Sequence, residues 1–235
     1  MTTDLRPVPG ADLRPAPGPG GALDRVVRAG LVRTGPDGER CDLCAAPVPS
    51  DHRHLLDESN DALLCLCRAC ALLFDRDAAA RGHYRLVPQR RLRVADLDRD
   101  GSDPRALGIP VGLAFVIPGD GGEVRARYPS PIGATRWELE PAAWRRLVAR
   151  APMLAGLAPR VEALLANTAR GRREFWIVPI DDCYRLVAIV RHTWTGLSGG
   201  GRVWPAVDDF FAALPDRSRR GSPLGRAGSP GAAGD

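Results

Sequence analysis

Residues 41–70 read CDLCAAPVPSDHRHLLDESNDALLCLCRAC. Two Cys-x-x-Cys pairs, Cys41/Cys44 and Cys67/Cys70, stand at its ends with residues 45–66 between them. Four thiolates can surround one tetrahedral ion only if each pair sits on a tight turn with both sulfurs facing the same way. Two such turns held apart by a hairpin supply that geometry. The spacing therefore predicts a structural Zn2+ site with Cys41, Cys44, Cys67 and Cys70 as ligands. Iron held by the same thiolates, as in rubredoxin, is the alternative. Rubredoxin-like knuckles normally carry Gly after the second Cys; Ala45 and Ala71 stand there instead, which favours zinc.

Working outward, HRHLLDE and ALLCL flank Ser59-Asn60-Asp61 and read as two strands joined by a turn. The segment after CRAC, through Leu72, Leu73, Phe74 and Asp77-Ala-Ala-Ala, suits a helix starting at the second knuckle, the order of a treble clef; without that helix a zinc ribbon remains. Residues 1–20 are Pro- and Gly-rich and read as a disordered arm. Residues 21–83 then hold a short helix (Leu23, Val26, Val27, Leu31) and the four-cysteine module.

Residues 84–215 read as one α+β domain of mostly antiparallel strands. YRLVPQRRLRVADL gives strand, Pro break, strand. Val111–Ile117 and EVRARY form a hairpin across a Gly-rich turn. A helix follows Pro141, and Pro159 opens another carrying Val161, Leu164 and Leu165. FWIVPI and YRLVAIVRHTW then pair as central strands across Asp181-Asp182-Cys183. Val207, Phe210, Phe211 and Leu214 mark a last helix that packs on this sheet and stops at Pro215. Residues 216–235 form a disordered tail.

Composition narrows the class. Hydrophobic residues make up 44% of 235 residues, enough for one full core and a small module. All basic residues are Arg, with Ala, Gly and Pro abundant, a pattern of GC-rich coding. The net charge of +5 is thus weak grounds for a nucleic-acid partner. No run approaches the ~20 apolar residues that span a bilayer, and the first twenty residues contain no apolar signal core. The expected location is the cytoplasm. Five of the six cysteines fall within residues 41–70, which in a reducing compartment points to metal rather than disulfides.

Other chemistry is thinner. Cys65 reads as a spare thiol or an alternate ligand. His52 and His54 lie on one face of a strand, where they could ligate a second metal or replace a cysteine; with no obvious third ligand for a catalytic site, they read as a solvent-side or structural pair beside the knuckle. Asp51-His52, Asn60 and two knuckles also resemble the layout of an HNH nuclease. That layout places a distal His or Asn on the helix, where this chain reads ALLFDRD. Cys183 and His192 bracket an expected strand and would stand too far apart for a nucleophile–base pair. The Ser198–Arg202 loop lacks a phosphate-binding fingerprint. No catalytic residue is assigned.

The run CDLC…DHRHLLDE…LLCLCRACALLFDR…YRLVP, followed by YRLVAIVRHTWTGLSGGGRVWPAVDDFFAAL, resembles an uncharacterised actinobacterial family often encoded beside high-affinity nickel–iron hydrogenase genes. The likeness spans roughly Arg40 to Leu214. It transfers no catalytic residues and implies a context, hydrogenase expression, assembly or electron transfer. The combined expectation is a zinc-binding accessory or assembly protein that contacts a protein partner, such as a hydrogenase component, through its Trp-rich C-terminal domain. The alternatives are a rubredoxin-like iron electron carrier and an HNH-type nuclease.

Overall fold

A computed structural model describes residues 38–75, 82–99, 109–196 and 199–221. The expected N-terminal arm, the helix at Leu23–Leu31, the Asp77–Ala80 stretch and residues 222–235 lie outside the described residues.

The cysteine module is a three-stranded antiparallel sheet. Strands β1 (Arg53–Asp57) and β2 (Ala62–Leu66) form the expected hairpin, and β3 (Tyr84–Leu86) pairs with the other edge of β1. The turn is closed by side chains: Asp57 accepts from Ser59 and Asn60, and Asn60 accepts from the Ala62 N–H. Helix α1 (Arg68–Leu73) starts at the second knuckle. Leu55, Leu66, Ala71 and Cys41 make a small core on one face of the sheet. The opposite face carries Leu56, which joins the core of the main domain.

The main domain is built on a six-stranded antiparallel sheet. Its strands are β4 (Leu92–Arg93), β5 (Leu113–Pro118), β6 (Val124–Ser130), β7 (Gly133–Trp137), β8 (Glu162–Asn167) and β9 (Glu174–Pro179). Their order is β4-β9-β8-β5-β6-β7. Helices cover both faces. On one lie α2 (Ala95–Arg99) and α3 (Pro141–Arg150), with Leu97, Leu147 and, from the 3-10 turn Pro152–Gly156 after α3, Leu154 against Val116, Leu164 and Ile177. On the other lie α4 (Ile180–Thr193) and α5 (Val203–Gly221), with Leu186, Val190, Phe211 and Leu214 against Phe115, Leu165 and Val178.

Two elements depart from the sequence reading, the first because of that double coverage. Residues 162–167, expected in a helix opened by Pro159, are strand β8. Glu, Ala and Leu favour helix by themselves, but all six residues are buried, and a strand covered on both faces shows no alternation. Conversely, of residues 184–194, expected as a strand, 184–193 belong to helix α4 and Trp194 is its C-cap. Their Val, Ile, Tyr and Trp content favours strand. The buried positions Ile180, Cys183, Leu186, Val187 and Val190 nevertheless recur at helical spacing. Asp181-Asp182, read as a turn, occupy the first turn of α4, where acidic groups meet the positive end of the helix dipole. The last helix does pack its Val207–Leu214 stripe into the core, mainly beside α4, but it continues through Pro215. Pro215 itself is exposed, and it removes the N–H that would have bonded to the Phe211 carbonyl one turn back.

Continuation past Pro215 brings Arg217 to a buried carboxylate. Asp182 is fully buried; Arg91 Nε donates to its Oδ2 at 2.5 Å, and Arg217 Nη1 lies 2.6 Å from its Oδ1. Burial first, and then the Asp181 charge, push the Asp182 pKa up; the two guanidiniums oppose this. Glu162 is likewise buried and gripped by both Arg90 Nε (2.6 Å) and Arg90 Nη2 (2.7 Å).

Removing one partner of a buried pair strands a charge, at about 3–5 kcal/mol. Arg91→Met should lower the urea midpoint accordingly, and Arg217→Met should lower it in the same direction. A chain ending at Val203 should be insoluble, because the Phe210 and Phe211 sites are lost at about 3–5 kcal/mol each. One ending at Pro215 should fold but be less stable than one ending at Gly221. Equal stability of those two chains would remove Arg217 from the network.

Candidate metal centre

The first knuckle is a turn closed by backbone. Ala45 N–H donates to the Cys41 carbonyl, and Cys41 N–H donates to the Ala46 carbonyl. Ala45 takes φ of 59°, the left-handed conformation that Gly normally fills after the second cysteine of a knuckle. The second pair is built differently. Cys67 caps helix α1, its Sγ accepting from the Cys70 N–H, so Cys70 sits one turn into the helix. Asp42 ties the halves together: its carboxylate accepts from the Cys65 N–H, and its own N–H donates to the Cys65 carbonyl.

The four sulfurs of Cys41, Cys44, Cys67 and Cys70 lie within 4.8 Å of one another. Cys44 Sγ and Cys67 Sγ are 3.6 Å apart. Thiols this close titrate as a set. Burial pushes Cys41 up, but N–H groups of Cys67, Cys44 and Leu43 outweigh it and hold the thiol at about 6. The Cys44 and Cys67 sulfurs, with burial, push Cys70 up to about 12. One proton leaves readily and a later one must leave against charge already present. A cation among the sulfurs removes that conflict, and tetrahedral thiolate coordination suits zinc or iron.

Cys65 is not part of this set. It lies directly opposite His54 across the β1–β2 ladder, and a second group forms from His52, His54 and Cys65. The two imidazole centroids are 4.5 Å apart. His54 Nδ1 lies 2.9 Å from Asp181 Oδ2 on α4, so this group sits at the seam between module and main domain. Burial pushes the Cys65 thiol up, and the two imidazoles bring it below its ordinary value. Burial likewise lowers His54, but Asp181 and Cys65 raise it to about 10. For His52 the neighbouring Cys65 raises the pKa against burial.

Residues 40–218 match the model of a family of unknown function, DUF5947. The chain belongs to this family. No curated protein matches it, and no solved structure matches it. The span shared with DUF5947 opens at Arg40, just before the first knuckle cysteine, and runs past Arg217. Both cysteine-bearing groups and the Asp182 network therefore lie inside the DUF5947 match.

Other residues singled out in this DUF5947 chain do not converge. Cys183 is wholly buried, and burial raises its thiol well above the ordinary value. His192 is exposed on the same helix. With α4 helical, nine residues rise only about 13 Å, but they also turn about 180°, so the two still cannot meet. Asn60 is used in the β1–β2 turn. Within the described residues α1 offers neither His nor Asn. Of the five tryptophans, Trp176 is buried and Trp137, Trp144, Trp194 and Trp204 are half-buried. Among described residues the exposed large apolar side chains include Leu43, Leu72 and Leu73, at 45%, 63% and 64% exposure. All three sit on the segments that carry the knuckle sulfurs.

Metal binding supplies most of the folding free energy of such a small module, on the order of 10 kcal/mol for structural zinc. Cys41→Ser and Cys67→Ser should each lose the ion and the module's protease resistance. Cys65→Ser should keep an ion in the four-sulfur site. Equal metal loss from that site in the Cys65 and Cys67 variants, read by elemental analysis, would mean the ligand set is wrong.

Proposed function

We propose that this protein is a zinc-stabilised accessory or assembly factor that works by contacting another protein. The observation that carries the reading is the placement of Leu43, Leu72 and Leu73. A four-sulfur site fixes the two segments that bear them, yet leaves these leucines in water. Exposed apolar groups on a rigid, metal-held frame suit protein recognition. In this reading the ion is structural: four sulfurs fill a tetrahedral shell and leave no position for a substrate. Zinc is favoured over iron by the asymmetry of the pairs, one on a backbone turn and one at a helix start, the arrangement of a treble clef rather than of two matching rubredoxin knuckles.

The partner we propose is a component of a nickel–iron hydrogenase system, on the family resemblance described above. The reading places the protein in the cytoplasm; no helix among the described residues is long and apolar enough to cross a membrane.

Purified, tag-free protein should be colourless and hold zinc. A visible thiolate-to-iron absorption would turn the reading to an electron carrier. Leu43→Asp and Leu72→Asp should each leave metal content unchanged and weaken co-purification with the hydrogenase subunits or assembly factors at least tenfold. Unchanged co-purification in both variants would remove the knuckle surface as the contact.

A further inference from the structure

We propose that His52, His54 and Cys65 form a second metal site, for a borderline transition-metal ion of the zinc type, with its fourth position open to an outside ligand. The sequence by itself places no obvious third ligand beside the two histidines. Strand register supplies it: His54 pairs directly with Cys65, and His52, two residues from His54, lies on the same face.

Each histidine is oriented by a group behind it. The Nδ1 of His52 lies 2.8 Å from the Pro49 carbonyl, with Glu39 Oε2 at 3.4 Å. A carbonyl only accepts, so Nδ1 carries the proton, and in the neutral ring Nε2 is a bare lone pair. The His52 side chain is 5% exposed, and its Nε2 is buried with no hydrogen-bond partner. Such a group is costly unless something coordinates it. The Nδ1 of His54 lies 2.9 Å from the Asp181 carboxylate, the carboxylate–histidine arrangement that fixes tautomer and ring angle behind metal-ligating imidazoles.

The donor set selects the ion. Two imidazole nitrogens and one thiolate do not suit Ca2+ or Mg2+, which take oxygen ligands. They suit zinc and its neighbours. One ring nitrogen of each histidine and the Cys65 sulfur lie within 4.8 Å of one another. Ligands of tetrahedral zinc stand about 3.3–3.6 Å apart on ordinary bond lengths, so side-chain rotation of about 1 Å closes the shell. The thiolate and Asp181 together balance the divalent charge. His54 is 21% exposed and Cys65 is half-buried, so the ion can be reached from solvent. Three protein ligands with one free position is the pattern of ions that bind or pass on something, unlike the closed four-sulfur site.

The test uses the full, tag-free chain saturated with Zn2+, desalted and assayed for metal per chain. Wild type should retain two equivalents. Cys65→Ser and His52→Gln should each retain one, with unchanged far-ultraviolet circular dichroism. Co2+ added to protein whose four-sulfur site already holds zinc should give a thiolate-to-metal charge-transfer band, absent in Cys65→Ser. Asp181→Asn, a positioning change, should keep the stoichiometry at saturation but weaken the second equivalent about 10–100-fold in chelator competition. A single equivalent in wild type overturns the proposal. So does a second equivalent that survives both Cys65→Ser and His52→Gln. If either variant unfolds, the other, together with the wild-type count, decides. Zinc or iron in the four-sulfur site leaves these outcomes unchanged, so this site and the accessory reading fail separately.

Discussion

Asp182 is tolerable in the interior only while two guanidinium groups stay against it. Arg91 arrives from the segment between β3 and β4, and Arg217 from the last turns of α5. The preceding residue, Asp181, takes His54 from the cysteine module. Adjacent carboxylates at the head of one helix thus draw three distant parts of the chain to one place. Apolar packing brings the layers together without direction. This polar junction sets which residues face each other, because any shift leaves a charge unpaired in low dielectric.

The seam between module and domain is polar elsewhere too. Arg85 pairs with Glu58 and donates to the Pro159 carbonyl; Arg160 reaches back to Asp61 and the Glu58 carbonyl. Leu56 and Val87 add apolar contact to the main core. The module is therefore docked rather than tethered, and an ion at His52, His54 and Cys65 would sit within that docking surface. Closing its shell would pull on β1, β2 and, through Asp181, on α4.

The four-cysteine site was legible because its signal is local: two pairs at fixed spacing on either side of a hairpin. The β5–β6 hairpin and the helix after Pro141 were legible for the same reason. Strand β8 and helix α4 were not. Strand β8 is buried so fully that polarity stops reporting direction, and in both elements propensity points the wrong way: Ala and Leu in a strand, Val and Ile in a helix. The buried positions of α4 did carry a helical period, which the β-branched residues between them obscured. The histidine–cysteine group was half legible. Its side chains were visible in the sequence, but only the pairing of residue 54 with residue 65 joins them, and pairing register follows from the whole sheet.

Helix α5 has a consequence for how the chain is made. Its residues Val203, Val207, Phe210, Phe211 and Leu214 fill one side of the main core, and Arg217 completes the Asp182 pair. All of them follow the sheet in the chain. During synthesis at about 5–20 residues per second, the strands and α4 leave the ribosome before the helix that covers them exists. For those seconds a nascent chain displays an uncovered apolar face and a carboxylate with half its partners. The cysteine module, whose four knuckle sulfurs all emerge early, can form in that interval, so among the described elements it is the natural first unit to fold and α5 the last.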